Sequence, residues 1–186
     1  MKYLIASDLH GDAKCTEQLL RRFDEEKADA LLLLGDYLYH GPRNGLPADY
    51  DTQKTAELLN GCADKIIAIA GNCDAEVDQL LLDFPITSPY MTFLSEPDEA
   101  GERVKIVAHH GHWNPETFRL GRGDVYLHGH THVSGAFRAA GGYFEVNPGS
   151  VSIPKGGTLR SYAVWEGRKI TLKTLADAAV FGEIEF

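Results

Sequence analysis

KYLIASDLHG, residues 2–11, sets the plan that the rest of the chain repeats. A short apolar run, residues 2–6, reads as a buried strand and gives way at once to Asp8-Leu9-His10. Two metal-ligand residue types at period-two spacing can face one side of an extended backbone. Working outward, Asp12 is placed to cap a helix whose apolar face, Cys15, Leu19, Leu20 and Phe23, recurs at helical spacing. Residues 30–34 read as a second buried strand, 52–59 as a second helix and 66–70 as a third strand. Strands separated by helices imply right-handed crossovers and a largely parallel sheet.

The second half changes character. Residues 90–94, 104–108, 125–127, 133–137, 143–146, 162–165 and 170–175 are short apolar runs separated by Gly, Pro, Asn or Asp. They predict a strand-rich, mostly antiparallel portion, with residues 176–186 as a last strand or tail. No linker, repeat or low-complexity segment interrupts the chain, so the expectation is one domain over residues 1–186 with two sheets.

Bulk properties narrow the function. The 186 residues suffice for a sizeable core, and 44% hydrophobic with 24% charged residues is ordinary for a globular protein. A formal net charge of −9 argues against sequence-independent binding to nucleic acid, and no sequence-specific nucleic-acid motif is present. Three cysteines without CxxC spacing fit a reducing compartment. The four apolar residues at 3–6 are too few for a signal peptide, and no run approaches a membrane span. The expected location is therefore the cytoplasm, with no membrane partner.

The polar residues fall where the strands end. Asp8 and His10 follow the first strand, Asp36 follows the second, and Gly71-Asn72-Cys73-Asp74 follows the third. His109-His110-Gly111-His112 and His128-Gly129-His130-Thr131-His132 follow two later ones. In open α/β sheets the carboxyl ends of strands border the ligand crevice. Each signal alone is compatible with turn chemistry, but their joint placement after successive apolar strands is not. Asp8, His10, Asp36, Asn72, His110, His130 and His132 make seven ligands, too many for one metal. Two metals sharing a carboxylate accommodate them and leave open positions for water and substrate. Oxygen and imidazole donors without thiolate favour manganese, iron or zinc.

The ordered set D-x-H, G-D, G-N-x-D, H-G-H, G-H-x-H resembles the calcineurin-like metallophosphoesterase superfamily. Residues 40–44, 72–87 and 147–157 extend the similarity towards its bacterial phosphodiesterases. The resemblance implies a four-layer α/β/β/α sandwich of two mixed sheets around a di-metal centre, commonly dimanganese, with iron, zinc or nickel as alternatives. By position, Asp8, His10, Asp36 and His132 would hold one metal, and Asp36, Asn72, His110 and His130 the other. His112 would orient its neighbours, while His109 and His128 match no ligand position. His40, Arg43 and Asn44 follow Asp36, either as a solvated loop or as a lip against substrate. Cys15 and Cys62 read as packing residues.

The implied activity is hydrolysis of small phosphodiesters by a hydroxide bridging the two metals. Much of the superfamily carries histidine within its third motif, proposed to protonate the leaving group or steady the transition state. Here Cys73 stands in that place, with Asp74 to orient the motif. A thiol is a weaker donor than imidazolium, so diesters with acidic leaving groups should fare best. Alternatives are a phosphomonoesterase, a nucleophilic Cys73, and a non-catalytic metal-binding scaffold of the same fold. Association into a homo-oligomer stays open.

Overall fold

The computed structural model describes residues 1–186. Strand β1 (Lys2–Ala6) pairs in parallel with β2 (Ala30–Leu33), which pairs in parallel with β3 (Ile66–Ala68). Helix α1 (Ala13–Glu26) links the first two and α2 (Thr52–Asn60) the next two. Asp12 caps α1 by accepting the Cys15 N–H at 2.9 Å, and Asp51 caps α2 by accepting that of Lys54 at 2.9 Å. Each cap satisfies an amide that the first helical turn would otherwise leave unbonded.

The second half supplies β4 (Tyr90–Leu94), β5 (Lys105–His109), β6 (Val125–Leu127), β7 (Gly135–Arg138) and β8 (Phe144–Asn147), then β9 (Ser161–Glu166), β10 (Lys169–Thr174) and β11 (Val180–Glu185). The first sheet runs β11-β10-β9-β1-β2-β3 and the second β4-β5-β6-β8-β7. Two features go beyond the expected split into a parallel and an antiparallel half. The last three strands return to the first sheet, where β9 pairs antiparallel with β1. Within the second sheet, β5, β6 and β8 are parallel to one another, and only β4 and β7 run against their neighbours. Parallel neighbours need long crossovers; one holds the 3-10 turn Pro115–Phe118 and the next holds β7.

Alternation along β1 divides the interior. Leu4 and Ala6 pack with Leu31, Leu33, Leu19, Phe23 and Leu59 beneath the two helices. Ile5 packs with Leu32, Ile106, Ala108, Leu127 and Trp165 between the sheets. Strands covered on both faces read as continuous apolar runs, which explains Ala30–Leu33. Each such buried Leu or Ile contributes about 1.5–3 kcal/mol. Over the outer face of the second sheet, the helical component between β5 and β8 is the Pro115–Phe118 turn, whose Phe118 ring lies 5.7 Å from that of Tyr126.

Candidate metal centre

The strands of each parallel set end together, so the loops after β1, β2, β3, β5 and β6 share one rim. Beyond β1, β2 and β6 the backbone turns into the left-handed region, with φ of 58° at Asp8, 50° at His10, 59° at Asp36, 67° at His130 and 60° at His132. Non-glycine residues rarely adopt this conformation, and they cluster where side chains must be aimed at a functional centre. Two glycines make room for it. A Cβ on Gly71 would collide with the Asp36 carboxylate, and one on Gly129 with Ser7 and Asp8.

Asp8, His10, Asp36, His110 and His132 meet in the interior, all buried. His132 Nε2 lies 3.3 Å from Asp8 Oδ1 and 3.3 Å from His10 Nε2. His10 Nε2 is 3.6 Å from Asp8 Oδ1 and 3.7 Å from Asp36 Oδ2. His110 Nε2 is 3.3 Å from Asp36 Oδ2. The outward nitrogens are locked: Nδ1 of His10, His110 and His132 sits 2.7 Å from the carbonyls of Tyr39, Leu34 and Ile153 respectively. A carbonyl can only accept, so each Nδ1 carries the proton and each Nε2 can offer a lone pair to the centre.

Three imidazole lone pairs and two carboxylates aimed at each other, with Asp8 Oδ1 and His110 Nε2 buried and unbonded, call for cations. The same atoms form two trios with ligand atoms within 4.8 Å of one another, Asp8-His10-His132 and Asp8-Asp36-His110. The donor set fits hard or borderline divalent metals. Proton affinities tell the same story. Burial raises the Asp8 and Asp36 carboxyls, but the facing histidines outweigh it and hold both below the ordinary range. Burial lowers His110, and the two carboxylates outweigh it, carrying it to about 9.

The third motif braces this group from one side. Asp74 accepts the backbone N–H of Gly71 at 2.6 Å, Asp36 at 2.8 Å and Tyr37 at 2.8 Å. Burial, followed by the repulsion of Asp36, outweighs those N–H bonds and raises its carboxyl to about 6. Cys73 donates its backbone N–H to Asp36 Oδ1 at 2.9 Å, and its sulfur lies within 4.8 Å of ligand atoms on His10 and Asp36. Burial and then the Asp36 charge push the Cys73 thiol up to about 12.

Asn72 and His130 line the cleft beside the buried group, the His130 ring 5.2 Å from that of His110. The Asn72 amide nitrogen is 3.2 Å from Cys73 Sγ, leaving its oxygen unbonded. The His130 backbone N–H donates to Asp8 Oδ2 at 3.0 Å. Arg43 lines the same cleft, whereas His40 does not: its ring packs 4.6 Å from Tyr39 and 5.5 Å from Tyr50. His112 is exposed, 5.7 Å ring to ring from His110. His109 faces away, its Nδ1 accepting the Gly111 N–H at 2.9 Å, and His128 pairs with Glu145 at 3.0 Å.

Four residues within the 147–157 similarity had no role assigned from sequence. Ser150 and Ser152 both donate hydroxyls to the Asp8 carbonyl, at 2.8 and 2.9 Å. Asn147 donates to the Gly129 carbonyl at 2.8 Å, bracing the loop that carries His130 and His132. Lys155 lines the cleft. The period-two Ser150-x-Ser152 pattern was the available signal, but it names no partner.

A left-handed Asp/His rim on a two-sheet sandwich defines a metallophosphoesterase-type centre, and the chain belongs to the calcineurin-like phosphoesterase superfamily, whose domain matches residues 1–169. Among curated proteins, it is 44% identical to the phosphodiesterase YfcE of Escherichia coli K12, over 99% of this chain and 97% of that protein. The solved structure of YfcE, described as a phosphoesterase from E. coli, superposes with a TM-score of 0.90 at 42% identity, covering 100% of this chain and 99% of that one. A predicted phosphoesterase from Streptococcus pneumoniae TIGR4, 22% identical over 100% of this chain and 97% of that one, shares the fold with a TM-score of 0.59.

Proposed function

We propose that this protein is a metal-dependent phosphodiesterase acting on small phosphodiesters. The observation that carries the reading is the burial of five converging ligand side chains whose three histidines are locked with Nε2 inward. The similarity to YfcE along nearly all of both chains supports the diester as substrate.

Asp8, His10, Asp36 and His132 would hold one divalent ion, and Asp36, Asn72, His110 and His130 the other, with Asp36 shared. Manganese suits the oxygen-rich, thiolate-poor set, with iron, zinc and nickel as competitors. Two such ions supply Lewis acidity towards a phosphoryl oxygen and lower the pKa of water towards neutrality.

The rest is work for the chain itself. Asp74 fixes the backbone that presents Asp36 and the Asn72-Cys73 pair. Cys73 stands beside the cleft with its sulfur within 4.8 Å of ligand atoms on His10 and Asp36, where a thiol can serve as a weak hydrogen-bond donor to a departing oxygen. A diester with an acidic leaving group needs least help at that step, so aryl diesters should be cleaved better than alkyl diesters.

Elemental analysis paired with turnover of bis-p-nitrophenyl phosphate tests the reading. About two metal ions per chain and measurable turnover are expected. Neither metal nor turnover would reinstate the scaffold. Much faster cleavage of p-nitrophenyl phosphate would reinstate the monoesterase. Retained activity in Cys73→Ala is expected, and its abolition with metal still bound would support covalent catalysis.

A further inference from the structure

Beside the buried centre lies a cleft of about 90 Å³ with two cationic side chains on its walls, Arg43 and Lys155. They reach it from distant parts of the chain. Arg43 sits on the loop after Asp36, which is held by Asn44 Nδ2 donating to the His40 carbonyl at 2.8 Å. Gly41, at φ 82°, lets that loop close on Cys73: a Cβ there would stand 3.1 Å from the sulfur. Lys155 donates its backbone N–H to the carbonyl of His132 at 2.9 Å, so its position is tied to the metal-centre loop. Gly156 and Gly157 follow in the left-handed region, at φ 62° and 77°, and turn the chain away after it.

Neither cation is spoken for. The ion pairs of the molecule engage Lys2, Arg22, Lys54, Lys105, Lys169 and Lys173, and none involves Arg43 or Lys155. Their side chains make no hydrogen bond either, although Asp36 lines the same cleft and acidic residues outnumber basic ones by 27 to 18. The scissile group does not require them. Two divalent cations would be matched by the carboxylates of Asp8 and Asp36, a hydroxide and a singly charged diester. Asp74, bonded to the Asp36 backbone, adds one further negative charge, so at least one of the two wall cations stays without a counter-charge.

We propose that Arg43 and Lys155 form an anion clamp selecting phosphodiesters that carry a second, doubly charged phosphoryl group. The proposal rests on the diesterase reading above. The planar guanidinium suits two phosphate oxygens at once, and the ammonium acts as a point charge within the same cleft.

A matched pair of chromogenic diesters isolates the clamp: thymidine 5′-(p-nitrophenyl phosphate) and the same compound phosphorylated at its 3′ oxygen. The leaving group is identical and only the extra phosphate differs. The wild type should favour the 3′-phosphorylated diester by about tenfold or more in kcat/KM, mainly through KM, as a charged hydrogen bond to phosphate implies. Lys155→Gln and Arg43→Gln should each pull that ratio towards one, and Lys155→Arg should restore most of it. Equilibrium dialysis of thymidine 3′,5′-bisphosphate against thymidine 5′-phosphate supplies a readout independent of turnover, with the same preference and the same loss expected. A wild-type ratio at or below one, or a ratio that both Gln variants leave unchanged, overturns the clamp. Equal loss on both diesters also overturns it, because the cations would then serve the scissile phosphate. Preferential bisphosphate binding without turnover of either diester would instead sink the diesterase reading and leave the clamp standing.

Discussion

The buried ligand group and the cleft wall beside it are built on opposite principles. Asp8, His10, Asp36, His110 and His132 are fixed by backbone: left-handed turns aim four of them, and carbonyls hold the outward nitrogens of the three histidines. Arg43 and Lys155 extend from loops, are exposed, and their side chains make no hydrogen bond or ion pair. The difference separates what the site must do from what it chooses. Holding cations tolerates little displacement, whereas substrate preference can be retuned one exposed side chain at a time.

Substitutions sharpen that contrast. Asp36→Asn should do most damage, because one carboxylate faces His10 and His110 together. Activity should fall by about 10³-fold or more, with loss of bound metal on elemental analysis, since a shared ligand is worth several kcal/mol. Full metal content in that variant would contradict the assignment. Cys73→His places a stronger acid on the wall, and the rate on a dialkyl phosphodiester relative to bis-p-nitrophenyl phosphate should rise about 10²-fold. Unchanged relative rates would make Cys73 a bystander.

Asp74→Asn leaves the ligands intact but replaces one acceptor oxygen with a donor facing backbone N–H groups. Metal affinity measured by competition with a chelator should drop about 10- to 100-fold, the usual cost of losing a group that orients a ligand. Glu26→Gln should leave the cleft alone and affect only stability. Glu26 lies outside the centre, where it accepts from Lys173 at 2.6 Å, Lys2 at 3.1 Å and Tyr162 at 3.0 Å. Burial raises its carboxyl, but Lys173, Lys2 and Tyr162 outweigh that and hold it below the ordinary range. Its contribution, about 1–3 kcal/mol, is therefore present at neutral pH and lost as pH falls through the lowered value. Denaturant melts of both proteins should differ at pH 7 and converge in acid.

Much of this was legible beforehand, for reasons that can be named. The apolar run at 2–6 and the Asp8-x-His10 step were readable because buried parallel strands are continuous in hydrophobicity and end at the ligand rim. Asp12 announced the first helix start. The return of β9 to the edge of β1 was not readable, since periodicity marks a strand and not its neighbour. Nor was the parallel run of β5, β6 and β8, which depends on crossover direction. In the centre, residue types suggested the candidate ligands, five of which the fold buries together, but the left-handed turns that aim Asp8 and His132 have no signature in those types. Lys155 lay within the 147–157 similarity but had no assigned role, because an exposed lysine looks like any other until the fold brings it into the same cleft as Arg43.

The serine hydroxyls on the Asp8 carbonyl carry a consequence for how the protein is made. They come from Ser150 and Ser152, 142 and 144 positions downstream, and β1 waits for β9 before its second edge is covered. A ribosome releases Asp8 well before its braces, so until they follow the nascent chain holds scattered donors and no braced centre. Non-local closure of this kind folds slowly. The brace on Asp8 therefore joins the assembly of the rim to the pairing of a distant strand, a check written into the order of synthesis.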